Sequence, residues 1–245
     1  ADWLKRNRPA SKLVVLDANP QIMAEPVNFG NAFSGLYRNQ IDYRPGVTVE
    51  SVRFAGSRPK VKTVTGVDAI GEPVTVTAEV VNLIPKQRAG KIAIQTLGST
   101  GLTPDGRWAL VDETTYESRR PRIHVIGDSI ASKQPKAGHV GNQEAKICVD
   151  AILRLATGKT PYATPVTNSA CFTPITSQTA TWLTAVYRLT PDLDPVTGKP
   201  IGTKSMKIVS GNPPGTPSET PTAPSKDNYE AMQTWFASLM VDTFG

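Results

Sequence analysis

The run Arg122-Ile-His-Val-Ile-Gly-Asp-Ser129 constrains this chain more than any other stretch. It is followed by Lys136-Ala-Gly-His139 and a helix pattern from Val140 to about Thr157. Together they predict a short buried strand that ends in Gly-Asp and leads to a helix N-terminus. Such an arrangement suits a flavin. Gly127 lets a cofactor pass close to the backbone, and the Asp128 carboxylate can accept a hydrogen bond from a ribityl hydroxyl. The free N–H groups of the first helical turn favour the electron-rich edge of an isoalloxazine. A plain strand-to-loop turn is the competing reading of Gly127-Asp128.

With 245 residues, 39% hydrophobic and 20% charged, the chain is long and apolar enough for one large domain or two modest ones. No run of about 18 apolar residues exists, so no membrane span is expected. The net charge of +6 is scattered, without a dense basic stripe or an aromatic ladder. It reads as a solvated face, or a surface for an acidic partner, and no nucleic-acid partner is expected. The opening Ala1-Asp-Trp-Leu-Lys-Arg6 is amphipathic and charged, unlike a secretory signal. Two cysteines, Cys148 and Cys171, and two histidines show no metal-ligand spacing, so no metal site is expected.

Residues 1–9 read as the tail of a helix. Ser11–Asp17 is an apolar strand ending in an acid, followed by the turn Ala18-Asn-Pro20. In a dinucleotide-binding fold an acid at this place can meet a ribose hydroxyl. The Gly-rich turn and the strand that open such a unit do not precede it, so the chain reads as beginning mid-unit, as a fragment or one piece of a split protein. Val47–Phe54, Lys60–Thr65 and Val74–Val81 alternate and predict an antiparallel meander with turns at Gly66 and Gly71-Glu-Pro73. Val80–Ile84 reads as a strand closed by Pro85, with Gln87 and Arg88 after it as candidate pocket residues. Thr103-Pro-Asp-Gly106 is a turn. Thr181–Tyr187 reads as a strand, 190–225 as a turn-rich, partly mobile connector, and Lys226–Met240 as an amphipathic helix with Tyr229, Met232, Trp235, Phe236 and Leu239 on one stripe.

Several strings carry a resemblance: Val81-Asn-Leu-Ile-Pro-Lys-Gln-Arg-Ala-Gly-Lys-Ile92, Ile123-His-Val-Ile-Gly-Asp128, Pro135-Lys136 with Asn142 and Ala145-Lys146, Asn168-Ser-Ala-Cys171, and Trp235 to Asp242-Thr-Phe-Gly245. On these the chain resembles the flavoprotein subunit of flavocytochrome c sulfide dehydrogenase. The resemblance implies an α/β chain with an α+β C-terminal part, an incomplete glutathione-reductase-like fold of two dinucleotide domains and an interface domain. The implied divisions are an incomplete NAD-like domain at 1–84, the C-terminal part of the FAD domain at 85–160, and the interface domain at 161–245. It further implies FAD as cofactor and oxidation of sulfide to sulfur or polysulfide. Electrons would pass to a periplasmic c-type cytochrome subunit that carries the haem. The rest of the FAD site, including the Gly-rich motif and the cysteine of the covalent flavin link, would come from a segment upstream of residue 1.

Cys171 matches one half of the redox-active cystine that the family holds beside its flavin, with the other half upstream. A disulfide in that place is opened by hydrosulfide to a persulfide and a thiolate, and two electrons pass on to the cofactor. Without the resemblance Cys171 reads as a small buried hydrophobe. The implied site is therefore Cys171 and Trp235 as catalytic residues, with Gly127, Asp128, Lys136, Ala137 and Gly138 holding the cofactor. Lys136 is equally readable as a surface lysine, and Trp235 as a core residue of its helix. His139 reads as a satisfied structural histidine, and His124 and Cys148 as packing. Two rivals stand beside this reading: an NAD(P)H-dependent flavin disulfide reductase, supported by Asp17, and a non-catalytic partner-binding fragment.

Overall fold

A computed structural model describes residues 1–54, 61–220 and 223–245. These form two compact units of mixed helix and sheet. The first comprises 1–85 with 173–181 and 219–230, the second 86–172 with 182–218 and 231–245.

In the first unit a short helix α1 (Asp2–Asn7) precedes β1 (Leu13–Asp17). A crossover through α2 (Pro26–Asn31) and a π turn at Ala32–Leu36 returns the chain to β2 (Ile41–Pro45). β1 and β2 pair in parallel from Leu13 opposite Ile41 to Asp17 opposite Pro45. This is a βαβ unit, since parallel neighbours need such a crossover. Ala32, Tyr37 and Ile175 form its small core, and the Tyr37 hydroxyl donates to the Ile175 carbonyl. The expected meander follows as β3 (Thr48–Phe54), β4 (Lys62–Val67) and β5 (Pro73–Ala78). Their order is β3-β4-β5, antiparallel throughout. Lys60, placed at the head of the second predicted strand, lies outside the described residues. The register of β3 against β4 shifts between Val49 and Ser51. Gly66 faces this irregularity, and a Cβ there would stand 2.2 Å from the Thr48 carbonyl oxygen.

The second unit holds α3 (Lys91–Leu97), the two-residue strands β6 (Val111–Asp112) and β7 (Glu117–Ser118), and the long helix α4 (Gly138–Ala156). Then come β8 (Val166–Pro174), β9 (Ala180–Leu193), β10 (Pro200–Ile208), β11 (Ser218–Glu219) and the helix α5 (Lys226–Phe244). The sheet order is β10-β9-β11, with β8 against β9. Alternate residues Ala185, Tyr187 and Leu189 of β9 bury one face with Met206 of β10, as the two-residue period of a strand requires. A second cluster joins Tyr116, Ile130 and Cys148.

Four expectations need correction. Gly66, expected at a turn, lies inside β4 between Val49 of β3 and Val74 of β5. The stretch 122–126 is extended but is no regular strand. It makes one bridge, His124 with Glu117, and a bond from the Val125 N–H to the Tyr116 carbonyl. Left-handed residues at Arg122 and Gly127 bracket it, and its neighbour β7 is only two residues long. Val80–Ile84 is likewise irregular, with Val80 86% and Ile84 78% exposed. Its apolar character reflects no local burial. Finally, the first half of the predicted 190–225 connector is a hairpin, because β9 runs to Leu193 and β10 returns antiparallel to it as far as Ile208; residues 221–222 of that stretch lie outside the described residues. Pro191 and Pro200 fall within the paired strands, and the turn between the strands carries Pro195 and Thr197. There the Asp194 carboxylate accepts the N–H groups of Val196 and Thr197 at 3.0 and 2.7 Å, and Gly198 takes a positive φ.

Candidate functional site

The Gly-Asp turn and the start of α4 come together. Gly127, Asp128 and Ser129 form a single 3-10 turn, and Gly127 has a φ of +68°, which glycine adopts without cost. Helix α4 packs onto it at Gly141, where a Cβ would lie 3.3 Å from the Gly127 Cα. The Gly127 N–H donates to a carboxylate oxygen of Glu144, one turn further along α4, at 2.6 Å. A helix residue thus holds the turn from below, while Asp128 stays exposed.

Ala137 is the extended residue before α4 and supplies no side-chain cap, so the helix opens with N–H groups that no side chain satisfies. Gly138, the first helical residue, is exposed. Lys136 donates to the Ile130 carbonyl at 2.6 Å, with its ammonium 4.0 Å from the centre of the Trp108 ring. Arg107 stacks on the same indole at 5.2 Å. Burial holds Lys136 below its ordinary pKa, against the opposing charges of Asp128 and Glu144. Gly127, Asp128, Lys136, Ala137 and Gly138 therefore form one neighbourhood. An uncapped 19-residue helix, a nearby cation and an exposed carboxylate make a donor set that fits the anionic and hydroxyl edges of a flavin.

Beneath this surface lies a buried polar chain that the sequence reading did not single out. Glu144 is 2% exposed and also accepts from Gln134 at 3.3 Å. Gln134 accepts from the Thr167 hydroxyl, and its backbone N–H donates to Ser132. Ser132 donates to Glu113 at 2.6 Å, and Glu113 accepts the Met206 N–H at 2.9 Å. Burial pushes Glu144 up to about 7, against the lowering effect of the Gly127 N–H. Burial raises Glu113 too, offset by Ser132 and Met206. Burial also drives the Tyr116 hydroxyl far above its usual range, and both carboxyls add to that. The signal for Glu144 was its helical spacing: it shares the inward stripe of α4 with Val140, Cys148 and Ala151.

Cys171 lies on β8, half-buried and unpaired. Its neighbour Ala170 donates its N–H to His139 Nε2 at 3.1 Å, which ties the cysteine strand to the mouth of α4. The Cys171 sulfur lies 3.9 Å from the Ser169 hydroxyl, on the strand face that also carries the buried Thr167. Phe172, on the opposite face, packs on Trp235 of α5 with ring centres 5.6 Å apart. Trp235 meets His139 edge-on at 5.4 Å. Trp235 and Cys171 are therefore neighbours through β8 but on opposite faces of it. Of the predicted α5 stripe, Tyr229, Met232, Trp235 and Leu239 are half-buried, while Phe236 is 54% exposed. Cys148 is buried, and His124 Nδ1 donates to the Thr115 carbonyl at 2.9 Å.

Two other places were candidates. Asp17 spends its carboxylate on the Asn19 N–H, the Asn19 amide and the Tyr43 hydroxyl, at 2.9, 2.8 and 2.8 Å. Desolvation raises its pKa, yet these bonds outweigh that and hold it low. In the first unit a cavity of about 430 Å³ is lined by Trp3, Leu13, Phe29, Phe33 and Tyr37 among others, and none of the predicted site residues borders it. Gln87 offers its carbonyl to Arg107 at 2.7 Å. Among the described residues no three His, Cys, Asp or Glu side chains converge on a metal position, and no helix is long and apolar enough to cross a membrane.

Residues 1–85 match the family model described as sulfide dehydrogenase [flavocytochrome c] flavoprotein chain, central. The resemblance read from the sequence is thereby shown over those residues. Most of the strings that first suggested it lie beyond residue 85, so the two lines of support use largely different parts of the chain. In fold, the chain is similar to a chain of the Tetrahymena thermophila mitochondrial ATP synthase, in a cryo-EM F1Fo composite tetramer model. The TM-score is 0.55 at 18% identity, over 74% of this chain and 42% of that one, so this chain spans less than half of that chain's length.

Proposed function

We propose that this chain forms part of a sulfide-oxidising flavoprotein of glutathione-reductase-like fold, which turns sulfide into sulfur or polysulfide. In this reading it works in the periplasm with a c-type cytochrome subunit that carries the haem. The observation that carries the reading is the family match over residues 1–85. The tie between the Cys171 strand and the mouth of α4 supports it, because the strand that carries the thiol is bonded to the helix whose N-terminus suits a flavin.

FAD, when bound, supplies the two-electron acceptor. The α4 N-terminus and Lys136 place positive potential where reduction would add negative charge. Asp128 is free to accept from a ribityl hydroxyl, and Gly127 keeps the turn open to close approach. Cys171 would work as one half of a cystine with a second cysteine of the complete protein: hydrosulfide opens that S–S bond to a persulfide and a thiolate, and the electron pair passes on to FAD, while Trp235 packs on Phe172 on the other face of β8. The spent carboxylate of Asp17 speaks against ribose binding and so against the nicotinamide alternative. The test is sulfide-dependent reduction of cytochrome c by the complete protein. Loss of that activity in Cys171→Ser supports the proposal, and full activity in the variant overturns the role of Cys171.

A further inference from the structure

Among the described residues, strand β8 pairs with β9 on one side only. Along its other edge, two side chains of α4 take the place of a neighbouring strand. The Gln143 amide pairs with both backbone groups of Asn168: its oxygen accepts the Asn168 N–H at 2.9 Å, and its nitrogen donates to the Asn168 carbonyl at 2.8 Å. One helical turn earlier, His139 Nε2 accepts the N–H of Ala170. Asn168 and Ala170 are alternate residues, so these are the backbone groups that point away from β9. Two residues four apart on a helix thus reproduce the ladder of an edge strand, and the ladder ends one residue before Cys171.

We propose that His139 and Gln143 are positioning residues for Cys171, and that protonation of His139 detaches β8 at Ala170 and loosens the cysteine segment. The inference rests on the reading of Cys171 as a working thiol, but its geometry does not. With Nε2 accepting, the imidazole is neutral and its proton sits on Nδ1. A second proton would set two N–H groups against each other across 3.1 Å. The groups packed on the ring are the indole of Trp235 from α5 and the Ala170 backbone from β8, with Gln143 one turn along α4 at the His139 carbonyl. None of these carries a charge. Burial alone holds His139 below its ordinary value, so the clasp is closed at neutral pH and opens on acidification.

The test is amide hydrogen exchange of Ala170 in the full chain, expressed as protection relative to the intrinsic rate at each pH. Wild type should lose about tenfold protection at Ala170 as pH falls from about 8 to about 5, the size of one lost hydrogen bond. Leu189, deep in β9, should show no such step. His139→Gln, which offers a non-titrating acceptor, should hold a flat profile, and His139→Phe should lack the protection at every pH. Flat protection in wild type, or a wild-type step retained in His139→Gln, would overturn the proposal. Should His139→Phe not fold, the contrast between wild type and His139→Gln still decides. The readout needs neither flavin nor sulfide, so it can fail while the sulfide reading stands, and the reverse.

Discussion

Replacing Glu144 by glutamine should remove a pH dependence of stability that the wild-type fold carries. Glu144 is nearly fully buried, and its carboxyl is raised from an ordinary 4.5 to about 7. A folded-state pKa above the unfolded one means that the folded protein holds the proton more tightly. The stabilisation is therefore full below about pH 4.5 and is lost as pH rises through about 7. At about 1.4 kcal/mol for each tenfold change in proton affinity, the rise from 4.5 to about 7 is worth on the order of 3 kcal/mol. Glutamine keeps the oxygen that accepts the Gly127 N–H and cannot ionise. Urea denaturation of both proteins at about pH 5 and about pH 8 measures the difference. The gap between variant and wild type should move in the variant's favour by up to about 3 kcal/mol over that range. Parallel behaviour of the two proteins would refute the reasoning. It would mean that Glu144 is ionised in the fold throughout, with its charge met by groups beyond Gly127 and Gln134.

Other sites give simpler tests. Gly66→Ala should cost about 2 kcal/mol or more, read from the urea midpoint, because its Cβ would meet the Thr48 carbonyl oxygen inside a paired ladder. Glu25 is buried and accepts from Asn28, Thr173 and Thr181 at 3.0, 2.5 and 3.0 Å, so Glu25→Ala removes three bonds, leaves a cavity in their place and should cost about 3 kcal/mol in the same assay. Trp235→Phe should cost only about 1 kcal/mol and Trp235→Ala about 2, because the half-buried indole makes two aromatic contacts that a smaller ring partly keeps. Thermal melting of the three proteins checks that order.

Much of the architecture was legible because it is periodic. The β3–β5 meander follows alternation from Val49 to Val76, and α4 follows its inward stripe from Val140 to Ala151. The β9–β10 hairpin was hidden because Pro191, Pro195 and Pro200 suggest breaks, while pairing of Thr190 with Ser205 and of Arg188 with Lys207 is a non-local fact. At the site, the Gly127 turn and the α4 mouth were readable from local chemistry. Glu144, Glu113 and Gln143 were not, because their roles depend on what they meet at a distance in sequence: Gly127, Met206 and Asn168. His139 was read as a satisfied structural residue, and its bond to Ala170 agrees, but only the fold shows that the bond leads to Cys171.

The central claim is that a redox disulfide that includes Cys171 passes the electrons of sulfide to a flavin at the α4 mouth. Anaerobic titration of the complete flavoprotein with sulfide, followed by the flavin absorbance, tests it most directly. The account predicts bleaching in wild type and none in Cys171→Ser, with NADH without effect on either. Equal bleaching of both proteins by sulfide, or bleaching by NADH alone, would contradict it.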